Sequence, residues 1–449
     1  MQLSNIAQVD KLLNQKEISL FNNVLSRPVV TEIVREEIDL YRKKVIQQNI
    51  TANPEELFQS IIHALESLSI RRIQPLINAT GIVVHTNFGR SPFPLAAWKD
   101  IEDIVCRYSN LELNLSSGKR GNRMGVLGRI LSVCFGGESN IVVNNNAAAM
   151  HLILKAFAKG KEVIVSRSEQ VQIGGGFRIP EILEESGAIL RDVGTTNITT
   201  LDDYLGAINE NTAMVLIVHQ SNYYIEGFTQ RVDAKVLASR LPPHVMLVVD
   251  QGSGNQIANV PGEPTVSHYL KAGADLVCFS GDKMLGGPQS GIILGKKDHV
   301  DKLAKHPMMR VFRPGKETYA LIEKILVHRL NKDGQSDNRI EELLAKPISW
   351  HKERAQKLID IAPEKLQLVQ TKFLIGGGTT PRAQYDTWAV ALDSKQSANT
   401  LLKRLRNYSL PIMGVVQQDK VLLYPVTLFD DEMQIVEQCL TMLTSEADF

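Results

Sequence analysis

The sequence predicts an α/β protein in which a mostly parallel central sheet follows a small helical domain and precedes a small α+β domain. Three observations carry that prediction. Short apolar runs, "NIVVNN", "EVIVS", "AMVLIVH", "VMLVVD", "LVCFS" and "SGIILG", recur between residues 140 and 295. They lack the in–out alternation of a half-exposed strand, so they suit strands covered on both faces. Between them, stretches such as "AAAMHLILKAFAKG" and "IPEILEESG" carry helical periodicity and stop at glycine. Strand–helix alternation of this kind builds parallel sheets through crossover connections.

Residues 1–70 read as the helical domain. "NNVLSRPVVTEIVREEIDLYRKKVIQ" spaces its apolar residues by three and four, interrupted at Pro28, and "NPEELFQSIIHALESLSI" opens on a cap at Asn53 with Pro54 in the first helical position. Residues 71–330 form the large α/β domain. The polar connection "LNKDGQSDNRIEELLAKP" then leads into residues 331–449, where "TWAVAL" and "KVLLYPV" are short strands among helices.

Composition narrows the function. Fifty basic and 49 acidic residues nearly cancel, so any nucleic-acid surface must be a local patch. The four cysteines are scattered without metal-ligand spacing, as in a reduced cytosolic protein. The first 20 residues lack a basic segment followed by an apolar one, and no run approaches the roughly 20 apolar residues that span a bilayer. The expected location is cytoplasmic. A GxxxxGK[ST] loop and an HExxH motif are absent, and "GGGF" at 174–177 lacks dinucleotide-site spacing.

Ligands of parallel sheets bind beyond the carboxyl ends of the strands, so the polar residues there matter most. "IVV" runs into Asn144, Asn145, Asn146, Ala147 and Ala148, where side-chain amides and free N–H groups at a helix start suit a phosphate. A plain Asn cap explains that stretch equally well. "VLIVH" ends at His219, followed by Asn222; "MLVVD" ends at Asp250; "LVCFS" ends at Ser280, followed two residues later by the pair Asp282-Lys283. Three such ends in succession, closing on a lysine, fit pyridoxal 5′-phosphate. Lys283 would form the Schiff base, and Asp250 would keep the ring nitrogen protonated. Ser280 and the Asn144–Ala148 turn would hold the phosphate, while His219 or Asn222 would contact the ring or its 3-hydroxyl. Asp282 would point away and fix local structure. Arg90, Arg120, Arg123, Arg310 and Arg313 sit in Gly/Pro-rich segments and suggest a pocket for anionic substrate groups.

These residues resemble the bacterial selenocysteine synthase (L-seryl-tRNA(Sec) selenium transferase) family. The likeness rests on "LINATGIVVHTNFGRSP", "RYSNLELNLSSGKRGNR", "VVNNNAAA", "IGGGFRIPEI", "VGTTN", "SNYYIEGFT" and "FSGDKMLGGPQSGIILGKK", spread over residues 72–320. It implies a fold-type I enzyme, like aspartate aminotransferase, that converts seryl-tRNA(Sec) to selenocysteinyl-tRNA(Sec) through an aminoacrylyl intermediate. Arg90, Arg310 and Arg313 would bind selenophosphate, the N-terminal domain would hold the tRNA, and the chain would form a homo-oligomer, from a dimer up to a ring-like decamer. The sequence departs from the family pattern at Gln172, Ile198, Gln220, Gln251 and Pro425. Those departures keep a second reading open, a paralogous lyase or transferase on a small amino acid or phosphorylated amino sugar acid.

Overall fold

The computed structural model describes residues 6–449 apart from 174–175, 221, 332–337, 377–378 and 448. Ser221 and most of the polar connection before residue 338 therefore lie outside the described residues. The chain divides into two compact units, one ending at Pro75 and the other beginning at Leu76. Among the described residues, no helix is long and apolar enough to cross a membrane.

The first unit is built on two helices, α1 (Arg27–Gln48) and α2 (Pro54–Ser69). Helix α1 buries Val30, Val34, Ile38, Tyr41 and Val45, and α2 buries Leu57, Ile61 and Leu65, so each presents one apolar stripe to a shared core. Pro28 does not interrupt α1 as its position in the run suggests. It lies in the first turn, where a missing N–H costs nothing. Asn53 caps α2, its side chain accepting from the Glu55 N–H at 3.0 Å.

Two sheets organise the second unit. In chain order, the strands that matter are β1 (Ile77–Asn78), β2 (Ile82–Val84), β3 (Ser139–Val143), β4 (Glu162–Ser166), β5 (Ile189–Val193), β6 (Thr212–Val218) and β7 (Met246–Gly252). They continue with β8 (Leu276–Ser280), β9 (Gly291–Gly295), β10 (Leu366–Gly376), β11 (Thr379–Leu392), β12 (Ile412–Met413), β13 (Val415–Gln417) and β14 (Lys420–Leu423). The central sheet runs β3-β9-β8-β7-β6-β4-β5. Strands β8, β7, β6, β4 and β5 are parallel, while β9 is antiparallel to both β8 and β3. Because β3 is reversed twice relative to β8, it ends on the same edge as β6, β7 and β8. That geometry gathers Asn145, His219, Asp250 and Ser280 along one rim.

Both faces of this sheet are covered. Val142, Ile164, Val215, Ile217, Val249, Val277 and Phe279 enter one apolar layer; Ile141, Val163, Val165, Leu216, Val248 and Cys278 enter the other. This double burial is why the runs do not alternate. The edge strand β5 was not marked by such a run, because Arg191 and Asp192 break its apolarity where the sheet faces solvent. Phe279 packs on Phe135 with ring centroids 5.0 Å apart. It also lies under Gly254, which has φ +73° and where a Cβ would come within 2.7 Å of the Phe279 ring.

The second sheet runs β13-β14-β11-β10-β2. Its centre is the long antiparallel β10–β11 hairpin, paired from Leu366–Leu392 to Gly376–Thr379. Two short strands near the start of the second unit join strands far down the chain: β1 pairs with β12, and β2 with β10. The segment 77–84 thus hydrogen-bonds into the C-terminal layer, because two and three residues of strand are too short to form a ladder on their own.

Replacing Phe279 by alanine removes the ring that joins β8 to the layer beneath the rim. The expected cost is about 3–5 kcal/mol in chemical denaturation; a loss below about 1 kcal/mol would show that this ring does not anchor the strand.

Candidate active site

Lys283 lies on the turn joining β8 to β9, and only 8% of it is exposed. Its backbone is fixed on three sides. Met284 N–H donates to Ser253 O at 3.0 Å, Gly286 N–H to Lys283 O at 3.0 Å, and Ser91 N–H to Asp282 O at 3.1 Å. Burial, and next the nearby Arg90 guanidinium, hold the Lys283 amine below the ordinary lysine range; Asp250, Asp282 and Glu263 pull the other way. Asp282 turns to Arg90 in a 3.1 Å ion pair. Arg90 therefore meets the site through the neighbour of the lysine, at a left-handed φ of +67°.

Asp250 stands at the end of β7, where a register shift separates it from Gly252. Burial pushes its carboxyl up, opposed first by a hydrogen bond from Asn146 and then by the charges of Lys283 and His219. The Asn146 Nδ2 donates to Asp250 Oδ1 at 2.8 Å. Asn146 opens α3 (Asn146–Phe157), for which Asn145 is the cap, accepting from the Ala148 N–H at 2.8 Å. Asn144 N–H donates to Phe312 O at 2.9 Å, which brings the Arg310–Arg313 segment beside the same turn. Ser280 is buried at the last position of β8, opposite Gly291.

His219 and Asn222 make contacts that the sequence did not suggest. The His219 Nε2 meets Glu263 Oε2 at 2.7 Å, and Asn222 Nδ2 donates to Gln172 O at 2.9 Å. Three of the arginines converge on a residue missed in the sequence, Glu112. It pairs with Arg123 at 2.6 Å, Arg120 at 3.0 Å and Arg313 at 3.2 Å, and these cations, Arg123 first, hold its carboxyl below the usual range. Arg123, Arg310 and Arg313 line a cavity of about 1050 Å³ beside β3. Arg129 lines it too, with Glu138 and Asp301, so four guanidiniums face two carboxylates there, a setting for anions.

The departures from the family pattern have structural occupations. Gln251 is buried and donates to Ser253 Oγ at 2.7 Å and Glu263 Oε1 at 2.9 Å, while accepting from Gly254 N–H at 2.6 Å. Gln220 donates to Ser168 O at 2.7 Å and accepts from Arg231. Gln172 accepts from Arg178 Nε at 2.9 Å, and Pro425 O from Arg354 Nε at 3.2 Å. Ile198 is partly exposed, in an isolated bridge with Gln230. Glu263 itself, in "PGEP", had no signal beyond a lone acid between turn residues.

A buried carboxylate and a buried amine of lowered basicity stand at adjacent strand ends, beside a helix start whose first N–H groups lack intrahelical partners. The Asn146 Oδ1 is buried without a hydrogen-bond partner, a polar atom left over for a ligand. This donor set suits pyridoxal phosphate.

The fold is that of the fold-type I pyridoxal-phosphate enzymes. In a comparison that bears on fold alone, the structure of D-glucosaminate-6-phosphate ammonia-lyase matches with a TM-score of 0.61 at 18% identity, covering 85% of this chain and 97% of that one. A family model described as L-seryl-tRNA selenium transferase matches residues 76–429, and another, selenocysteine synthase N terminal, matches residues 6–42. The chain is 38% identical to the L-seryl-tRNA(Sec) selenium transferase of Carboxydothermus hydrogenoformans over 98% of its own length and 97% of the relative's. It is 37% identical to that of Aquifex aeolicus, over 99% of both. The chain belongs to the L-seryl-tRNA selenium transferase family.

The lowered basicity of Lys283 has a sign that thermal unfolding can read. Between its folded pKa and the ordinary 10.5, the unfolded chain binds more protons, so stability rises with pH across that window. In cofactor-free protein, Lys283→Met is expected to unfold at higher temperature than the parent below that window, with the gap closing as pH approaches 10.5. A pH-independent gap would show that Lys283 is not held below its ordinary range.

Proposed function

We propose that this protein converts L-seryl-tRNA(Sec) to L-selenocysteinyl-tRNA(Sec) in the cytoplasm, with pyridoxal phosphate as cofactor and selenophosphate as selenium donor. The observation that carries the chemistry is the buried Lys283 beside Asp250. Likeness over nearly the whole length to selenium transferases, including the N-terminal segment, supports the substrate. The bound cofactor supplies an electron sink for the charge left when the seryl α-proton departs.

The protein's own groups do the rest. Lys283 Nζ, deprotonated at lower pH than an exposed lysine because it is buried, takes the α-proton and can return one to the leaving β-hydroxyl. Asp250 holds positive charge at the ring nitrogen. The Asn145–Ala147 turn and Ser280 hold the phosphate dianion at the start of α3. Arg90, Arg310 and Arg313 receive the selenophosphate, and the Glu112 cluster sets two of the neighbouring guanidiniums, Arg120 and Arg123, in place for substrate anions. Residues 1–70 bind the tRNA, and the chain works as a homo-oligomer.

The small-molecule reading loses support, because the side chains of Gln251, Gln220 and Gln172 are taken up in hydrogen bonds within the protein. Two measurements decide between the readings. The holoenzyme should retard tRNA(Sec) well ahead of bulk tRNA in a gel shift and turn over seryl-tRNA(Sec) with selenophosphate; Lys283→Ala should lose turnover and the visible absorbance band of the bound cofactor. Equal retention of both tRNAs, together with turnover of a free amino acid, would replace this function with the second one.

A further inference from the structure

Glu263 is the least exposed acid of the rim, with a side chain at 0% exposure. A carboxylate in that position costs several kcal/mol unless donors surround it. Here they do: Gln251 Nε2 reaches Oε1 at 2.9 Å, Ser253 Oγ also donates to Oε1, and His219 Nε2 meets Oε2 at 2.7 Å. The loop carrying Glu263 is fixed as well, with Asn255 Nδ2 donating to its carbonyl at 2.7 Å. Gln251 follows Asp250 within β7, and Ser253 stands just beyond the strand's end. One short stretch of chain therefore carries both the acid of the proposed cofactor site and the donors that hold Glu263.

An ionised carboxylate only accepts, so the His219 nitrogen facing it must carry the proton. The other ring nitrogen, Nδ1, is then the one with the lone pair. The His219 backbone N–H donates to Asp250 O at 2.9 Å, which ties the residue to the end of β7. His219 and Glu263 both line a cavity of about 550 Å³, together with Glu169 and Arg231. Electrostatically Glu263 belongs to the site, because its charge acts on Lys283.

We propose that Glu263 is a positioning residue, braced by Gln251 and Ser253, that fixes His219 with Nε2 protonated and its Nδ1 lone pair free to accept from a group bound at the rim. The proposal deepens the pyridoxal-phosphate reading and rests on it for the identity of that group. The tautomer itself is independent of any substrate.

The test uses ¹⁵N-histidine-labelled full-length protein, with the His219 resonance assigned by its loss in His219→Gln. In the parent, Nε2 should be protonated. In Glu263→Gln, whose side chain can donate or accept, that preference should weaken, and Glu263→Asp should restore it in part. In the holoenzyme, Glu263→Gln should lower kcat about tenfold or more, with KM for seryl-tRNA(Sec) changed less than about twofold. A parent protein with Nδ1 protonated and Nε2 bare overturns the proposal, even if the glutamine variant fails to fold. So does a folded Glu263→Gln with unchanged kcat. Failure of seryl-tRNA turnover in the parent would strike the function above and leave the tautomer result standing.

Discussion

The site depends on one electrostatic constraint, an amine and a carboxylate buried at the ends of neighbouring strands. Burial acts on Lys283 and Asp250 in opposite directions, lowering one and raising the other, so both are pushed toward their neutral forms. Their mutual attraction resists that drift. The outcome is a pair in which the charge of each group depends on the other. Arg90 adds to the pressure on Lys283 while its own charge is met by Asp282, so the lysine is unsettled without leaving that guanidinium unpaired.

Topology makes this pairing possible. A single antiparallel strand, β9, returns the chain between β8 and β3 and puts the lysine on a short turn at the rim. The parallel order of β8, β7 and β6 then places Asp250 and His219 at the next two strand ends. Glycines serve that design where backbone approaches backbone: a Cβ on Gly291 would lie 2.2 Å from Asn145 O, so only glycine lets β9 close against the cap of α3. The rim is thus assembled by strand order, and the side chains on it are aimed by the turns that follow.

Much of this was legible beforehand. Strands buried on both faces wrote themselves as apolar runs, and the polar residue ending each run marked the rim, which made Lys283, Asp250 and the Asn145 cap visible. What stayed hidden was nonlocal. Glu112 and Glu263 are single acids in loops, and their importance comes only from the cations and donors that the fold brings to them. His219 was visible as a strand end, but its partner lies in a turn 44 residues later. The substitutions at Gln251 and Gln220 looked like changes in a pocket because a sequence shows lost polarity, whereas folding shows where the new amide points.

The pairing of β1 and β2 with strands far down the chain has a bearing on how the molecule is made. Their partners, β12 and β10, leave the ribosome only after the whole central sheet has been synthesised. Until then, residues 77–84 have no ladder to join. Closure of that long loop comes late, since its entropic cost is met only when the β10–β11 hairpin and its helices are present. A nascent chain can therefore complete its central sheet and still hold an immature rim, so competence waits for the last quarter of the polypeptide.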